Sequence, residues 1–207
     1  MESSRRVAAL ADQLRALAAN GLRYTQSPYD RERYEKLMAI AAEALSIVDV
    51  RDAGELERIF LADIDMITPL VTADVAVFDD AGRVLLIQRS DCGEWCMPGG
   101  AADVGETPSE AAIRECVEET GLRIAVTDLI GIYDNRGVSE VMARHAYHNV
   151  FKGHVVGGEA VVTHESLDVG WFTEDEAVAL TLFRGHKVKV PDAFAFHTGR
   201  RTSPIFH

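Results

Sequence analysis

The sequence is poor in cysteine and has no long apolar run. Its 207 residues contain three cysteines without a C-x-x-C spacing, which indicates reduced thiols and disfavours a disulfide framework or a zinc site. No apolar stretch is long enough to cross a membrane, and the first residues, MESSRRVAAL, lack the apolar core of a secretory signal. We therefore expect a cytoplasmic protein without a membrane segment.

Positive charge is also scarce. The chain has 33 acidic and 21 basic residues, which amounts to a formal net charge of −12. This balance disfavours non-specific binding to DNA or to an anionic membrane, because phosphate backbones attract Lys and Arg. A small phosphate-bearing substrate is still compatible with it, provided that a divalent cation bridges the two negative partners.

The chain is predicted to contain two parts, a helical domain over residues 1–65 and an α/β domain over residues 66–207. In the first part, apolar residues recur at three- and four-residue spacing, which is typical of amphipathic helices. Gly21 predicts the end of the first helix, and Ser27 and Pro28 predict the cap and first position of the second. Helices this short need a surface to pack on, so we expect this domain to dock on the main domain or to form a homodimer.

From about Thr68 the pattern changes to an alternation rich in β-branched residues, which is typical of strands. The segments TADVAVFDD and RVLLIQRS predict a hairpin around the turn at 79–82, and RIAVTDLIGIYD and HAYHNVFKGHVV predict further strands. GEWCMPGG and NRGVSEVMAR are expected to be loops, and another helix should begin after Thr173. The irregular alternation of strands and helices favours an α/β sandwich with a mixed sheet.

A capped helix is predicted within GETPSEAAIRECVEETGL. Thr107 and Glu110 match a capping box, and Pro108 occupies the first helical position. Gly121 matches a left-handed stop, so the helix should run from about 108 to 120. A helical wheel predicts a core face made of four residues: Ile113, Cys116, Val117 and Thr120.

The other face gathers Glu115, Glu118 and Glu119. Charge runs are usually solvated faces, but carboxylates near the C-terminal end of a helix oppose its dipole. Arg114 is the one cation in this stretch, and it can pair with Glu110 or Glu118. A bound Mg²⁺ or Mn²⁺ would relieve the repulsion, because hard cations take carboxylate oxygens. The sequence therefore predicts a divalent-metal site on this face.

These residues carry a resemblance to a known family. The pattern G-x5-E-x7-R-E-U-x-E-E-x-G-U, in which U is bulky and apolar, is the signature of the Nudix hydrolases, and this chain is similar to it throughout. The one departure is Cys116, at a position that is usually aliphatic. The resemblance implies an α/β/α sandwich that uses Mg²⁺ or Mn²⁺ to hydrolyse a nucleoside diphosphate linked to another moiety. The matching positions are Gly100, Glu106, Arg114, Glu115, Glu118, Glu119, Gly121 and Leu122.

The resemblance also implies roles for single residues of the motif. Glu115 and Glu119 would be metal ligands, and Glu118 a third ligand or an acid/base group. A backbone carbonyl near Gly100 would join the metal. The carboxylate that takes the proton from the attacking water varies across the family, so Glu118 is one candidate base.

Further site candidates have equally simple structural explanations. The resemblance implies that Glu106 orients Arg114, so both are expected to support the site. Glu165, expected at a strand end outside the motif, is either a second candidate base or a surface acid. Arg89 could contact a substrate phosphate or be a surface cation, and Tyr133 could stack on a base or belong to the core.

The segment NGLRYTQSPYDRERYEKLMAIAAEAL resembles the helical domain of a bacterial Nudix subgroup that includes a CDP-choline pyrophosphatase. This implies a CDP-alcohol substrate such as CDP-choline, cleaved to CMP and phosphocholine, although Ala101 replaces an aromatic residue usual in that subgroup. ADP-ribose and an oxidised nucleoside triphosphate are alternative substrates. A Nudix-fold sensor that binds a nucleotide without hydrolysis is the alternative from another functional class.

Overall fold

The computed structural model describes residues 2–64, 68–103, 105–138 and 145–206. The chain folds as two compact units, one built mainly from the residues up to Pro69 and the other beginning at Leu70. Within the described part of the chain, no helix is long and apolar enough to cross a membrane.

The first unit is helical. It consists of α1 (Glu2–Tyr24), α2 (Pro28–Ser46) and α3 (Ala53–Ala62). Helix α2 begins as predicted, because the Ser27 hydroxyl accepts a hydrogen bond from the Asp30 amide at 3.3 Å. The core of this unit lies between the helices and consists mainly of small residues and leucines: Ala8, Ala11, Ala18, Ala19, Leu22, Met38, Ala41, Ala42, Leu45, Leu56 and Phe60.

The predicted helix end at Gly21 is wrong, because α1 continues to Tyr24. A Cβ atom at Gly21 would collide with the ring of Tyr34 on α2. The glycine thus serves close packing of two helices rather than a left-handed stop.

The second unit is built on an eight-stranded mixed sheet, as the sequence predicted. The strands have the order β3-β2-β1-β6-β5-β8, with β4 paired to β1 and β7 paired to β2. In chain order the elements are β1 (Leu70–Phe78), β2 (Val84–Arg89), β3 (Trp95–Cys96), β4 (Gly99–Ala101), α4 (Pro108–Thr120), β5 (Arg123–Asp134), α5 (Asn135–Val138), β6 (Ala146–Gly157), β7 (Ser166–Phe172), α6 (Glu174–Ala179), α7 (His186–His197) and β8 (Ile205–Phe206).

The predicted β1–β2 hairpin is present, but its ladder is short. These strands are paired at Phe78 and Val84, whereas β1 runs parallel to β6 from Leu70–Ala146 to Phe78–His154. The stretch GEWCMPGG is not a plain loop, because it contains β3 and the first two residues of β4. The predicted loop NRGVSEVMAR begins with the short helix α5, and its remainder, 139–144, lies outside the described residues.

Helices cover both faces of the sheet. Odd-numbered residues of β1, such as Val75, pack with Ala112 and Cys116 of α4. Even-numbered residues, such as Ala76, pack with Phe194 of α7, because side chains alternate along a strand. The predicted core face of α4 is wrong at one position: Val117 is 39% exposed.

Candidate metal centre

Helix α4 has the two ends that its sequence predicts. Thr107 Oγ1 accepts from the Glu110 amide at 3.3 Å, and the Thr107 amide donates to Glu110 Oε2 at 2.8 Å, which completes the capping box. At the other end, Gly121 has φ 74° and its amide donates to the Val117 carbonyl at 2.8 Å. These local signals determine where the motif's glutamates lie along the helix.

Three carboxylates meet beside this helix. Glu115 and Glu119, one turn apart on α4, lie with Glu165 so that one oxygen of each falls within 4.8 Å of the others. Glu165 arrives from the segment that immediately precedes β7. Among the described residues, this is a group of acidic side chains whose oxygens could surround one hard cation.

The backbone of β4 closes the site from another side. The Gly99 amide donates to Glu119 Oε2 at 2.8 Å. A Cβ atom at Gly100 would lie 2.5 Å from the carboxyl carbon of Glu115, so glycine allows the main chain to approach the acidic cluster at this position. Gly100, whose carbonyl is predicted to be a further metal ligand, therefore lies against a carboxylate of the cluster.

Arg114 connects the helix to the loop that precedes it. Its guanidinium donates to both Glu106 oxygens at 2.8 and 3.0 Å and to Glu115 Oε1 at 2.8 Å. It also donates to Glu118 Oε2 and to the Ala101 carbonyl, each at 3.0 Å. These bonds raise the pKa of Arg114, chiefly through Glu106, and the same contact lowers the pKa of Glu106.

The carboxylates of the cluster repel one another and are partly buried. Burial raises the pKa of Glu119 to about 8, and the neighbouring carboxylates of Glu115, Glu165 and Asp74 push it in the same direction, against the Gly99 hydrogen bond. Burial also raises the pKa of Glu115, opposed by Arg114. A divalent cation would compete with the proton at Glu119.

Glu118, predicted as a third ligand or an acid/base group, is bound by the same guanidinium nitrogen of Arg114 that donates to Glu115. Its side chain is 50% exposed and bonds to Arg114, while Glu165 occupies the third corner. Beside Glu165 and Glu119 lies a cavity of about 190 Å³, whose wall includes Arg89.

Arg89 and Tyr133 have different environments. Arg89 donates to both Asp91 oxygens at 2.9 and 2.7 Å and lies 4.5 Å from the ring centre of Phe183. The Asp91 contact raises the pKa of Arg89, so the guanidinium at the cavity wall is charged. Tyr133 is fully buried in the core, and its hydroxyl donates to Asp192 at 3.2 Å. Of the two environments that the sequence allowed for Tyr133, the structure shows the core.

A buried charged pair escaped the sequence reasoning. Lys189 of α7 donates to Asp74 Oδ2 of β1 at 2.6 Å, and both side chains are less than 8% exposed. Lys189 and a nearby His148 hold the pKa of Asp74 well below its usual range despite burial. The sequence signals Asp74, which is a single charged residue in the apolar strand VTADVAVF, but not Lys189, because KVKVPDAF also contains Lys187 and Asp192.

Comparison with known proteins agrees with this geometry. The model of the NUDIX domain matches residues 68–193, and that of a UDP-X-like, N-terminal oligomerisation domain matches residues 5–60. YjhB of Bacillus subtilis (strain 168), by name a candidate ADP-ribose pyrophosphatase, is 27% identical over 93% of both chains. An ADP-ribose pyrophosphatase of Methanocaldococcus jannaschii is 34% identical over 50% of this chain and 62% of its own length.

Among solved structures, a UDP-X diphosphatase superimposes with a TM-score of 0.61 over 98% of both chains at 23% identity, which shows the shared fold. The NUDIX match covers more than half of the 207 residues. The helical unit precedes it, as the resemblance of the N-terminal segment to a Nudix subgroup predicted. The chain therefore belongs to the Nudix hydrolase family, in the subgroup with a helical N-terminal domain, and is an enzyme of the pyrophosphohydrolase class.

Proposed function

We propose that this enzyme uses Mg²⁺ or Mn²⁺ to cleave the pyrophosphate of a nucleoside diphosphate linked to another moiety. The observation that carries the proposal is the meeting of Glu115, Glu119 and Glu165 next to the close backbone approach at Gly100. Three carboxylates in a partly buried site provide the oxygen ligands that a hard cation prefers. Without a cation, their mutual repulsion and the loss of hydration destabilise the folded protein.

The ligands in this proposal are Glu115, Glu119 and Glu165, with the Gly100 carbonyl beside them. When bound, the cation neutralises pyrophosphate oxygens and lowers the pKa of a water molecule. Glu106 and Arg114 support the set, because Arg114 binds Glu115 and Glu106 together. This arrangement limits the rotamers that Glu115 can adopt.

Glu165 is the better of the two candidate bases. It belongs to the cluster and its side chain is 45% exposed, so it can accept a proton from a water and pass it to solvent. Glu118 is held on Arg114, whereas Glu165 is one of the three residues whose oxygens converge in the cluster. We therefore assign Glu118 a supporting role, as a second partner that keeps Arg114 in place.

Arg89 would contact the substrate phosphates. It lies on the wall of the cavity that also contains Glu119 and Glu165, and a guanidinium can bind two phosphate oxygens at once. Its contacts with Asp91 and Phe183 hold the side chain in place before substrate arrives. The cavity thus combines a cation site with a fixed positive group, which suits a pyrophosphate.

A CDP-alcohol such as CDP-choline is the substrate that the subgroup resemblance favours, and ADP-ribose is the second candidate, favoured by the names of the relatives. A panel of CDP-choline, ADP-ribose, a UDP-sugar and an oxidised nucleoside triphosphate, incubated with Mg²⁺ or Mn²⁺ and read by product masses, tests both. We expect cleavage within the pyrophosphate, with CMP and phosphocholine or AMP and ribose phosphate as products.

The variant that tests the role of the ligands is Glu119→Gln, which keeps an acceptor for the Gly99 amide but removes the charge of the carboxylate. It should keep its fold and lose turnover by at least about a hundredfold. Absence of turnover of every panel member by the wild type, together with nucleotide binding, would favour a non-catalytic sensor instead.

We further propose that residues 1–65 form a dimerisation domain and 66–207 the catalytic domain. Helix α1 exposes Leu10, Leu17 and Tyr24, which recur every seven residues on one face. A row of large apolar side chains in water favours pairing with a second copy. Light scattering should give the mass of a dimer, and Leu17→Asp should produce a monomer; a monomeric wild type would contradict this.

The free thiols of the three cysteines support a cytoplasmic location, since reduced cysteine is typical of that compartment.

A further inference from the structure

The segment that carries Glu165 is attached to the C-terminal end of α4. The last carbonyls of a helix have no partner within it, and here residues from 161 to 166 provide partners. The Val161 amide donates to the Thr120 carbonyl at 2.9 Å. The hydroxyls of Thr163 and Ser166 both donate to the Glu119 carbonyl, at 3.4 and 3.3 Å.

The same two hydroxyls also hold the turn around Glu165. Thr163 Oγ1 accepts from the Glu165 amide at 3.3 Å, and Ser166 Oγ accepts from the Thr163 amide at 3.0 Å. On the opposite side, the Glu165 carbonyl accepts from the Ser90 amide at 3.2 Å. Ser166 is 4% exposed, so water does not compete for its hydroxyl.

These hydrogen bonds connect the main-chain segments that carry two carboxylates of the cluster. Glu119 and Glu165 are 46 positions apart in the chain. The Thr163 and Ser166 hydroxyls nevertheless bond to the Glu119 carbonyl, and the Thr163 hydroxyl also bonds to the Glu165 amide. The two bonds that the hydroxyls donate to the Glu119 carbonyl are longer than the ideal for a hydroxyl donor. Together they leave the Glu165 segment little freedom to slide along the helix end.

We propose that Thr163 and Ser166 are positioning residues, which hold Glu165 in register with Glu119 and thereby determine the cation affinity of the site. This inference rests on the proposed metal site and extends it, because neither hydroxyl touches the cation or the substrate. Their effect passes through the position of the Glu165 carboxylate.

The test is a mutant cycle read by Mn²⁺ binding to the substrate-free protein, followed by electron paramagnetic resonance or calorimetry. Thr163→Val, which keeps the shape and removes the hydroxyl, and Ser166→Ala should each weaken Mn²⁺ binding about tenfold. Thr163→Ser should restore it. In a Glu165→Gln background, the same substitutions should change the affinity less than about twofold, because the carboxylate that they position is gone.

Thr127→Val is the matched control, since the Thr127 hydroxyl donates to the Lys152 carbonyl at 3.4 Å, a bond of similar length within the β5–β6 ladder. It should leave Mn²⁺ binding unchanged. If Ser166→Ala does not fold, Thr163→Val decides the question, because Thr163 is only partly buried.

Wild-type affinity in folded Thr163→Val, or an equal loss with and without Glu165, would overturn the inference while the metal site stands. Failure of the wild type to bind Mn²⁺ would overturn both. Mn²⁺ binding without hydrolysis of any nucleotide would count against the proposed function alone, and the mutant cycle would still decide the role of the two hydroxyls.

Discussion

The burial of Glu119 makes the metal-free protein sensitive to pH in a defined direction. The pKa of this carboxyl is raised from 4.5 to about 8 in the folded protein, first by burial and then by the charges of Glu115, Glu165 and Asp74. Between these two values the folded state binds a proton that the unfolded state releases. The free energy of unfolding therefore falls as the pH rises through this window.

The size of the effect follows from the shift. Each pH unit within the window changes the free energy of unfolding by about 1.4 kcal/mol, and since the titration is ending near pH 8 the loss between pH 6 and pH 8 is roughly 2 kcal/mol. For a protein of this length that corresponds to about 4–8 °C in melting temperature. Glu119→Gln removes the titrating group while keeping an acceptor for the Gly99 amide, so it should lack this slope.

Calorimetry in EDTA at a series of pH values measures the difference. The melting temperature of the wild type should fall relative to that of Glu119→Gln as the pH rises, and Glu43→Gln, at an exposed position of α2, should follow the wild type. Excess Mg²⁺ should remove the difference in slope, because the cation displaces the proton. Parallel curves for the wild type and Glu119→Gln in EDTA would refute the argument that this carboxyl is neutral when folded.

Two further substitutions test the frame of the site. Gly100→Ala would place a Cβ atom 2.5 Å from the Glu115 carboxyl carbon. Titration calorimetry should therefore show that Mn²⁺ binding is weakened at least about tenfold. The control Gly54→Ala, in the helical unit, should bind Mn²⁺ as the wild type does. Lys189→Met removes the ammonium partner of the buried Asp74 carboxylate and should cost about 3–5 kcal/mol in urea unfolding. The double variant with Asp74→Asn should recover much of that loss, and an equal loss in single and double variants would contradict the pairing.

Helix α4 was predictable because its determinants are local. The Thr107–Glu110 capping box, Pro108 and the left-handed Gly121 act within a few residues of one another, so the sequence contains all of the signal. The strands β3 and β4 were missed because they are two and three residues long. Such short strands form because they pair with β2 and β1, and the periodicity of the local sequence does not predict this pairing.

The candidate site was predictable only up to the directions of its side chains. Glu118 and Glu119 are adjacent in the motif, but their surroundings differ. Arg114 donates to the exposed Glu118, whereas the Gly99 amide donates to the buried Glu119. Glu165 enters the cluster through tertiary bonds to the end of α4, which no spacing in the sequence encodes. The same limit applies to the buried Asp74–Lys189 pair, whose members are 115 positions apart.

The central claim is that Glu115, Glu119 and Glu165 together bind a divalent cation. Anomalous diffraction at the manganese edge, from crystals soaked in Mn²⁺, tests it most directly. We predict a peak about 2.2 Å from an oxygen of each of these carboxylates, and its loss in Glu119→Gln crystals treated identically. A wild-type map without a peak among the three side chains, or with manganese bound only elsewhere on the surface, would contradict the claim.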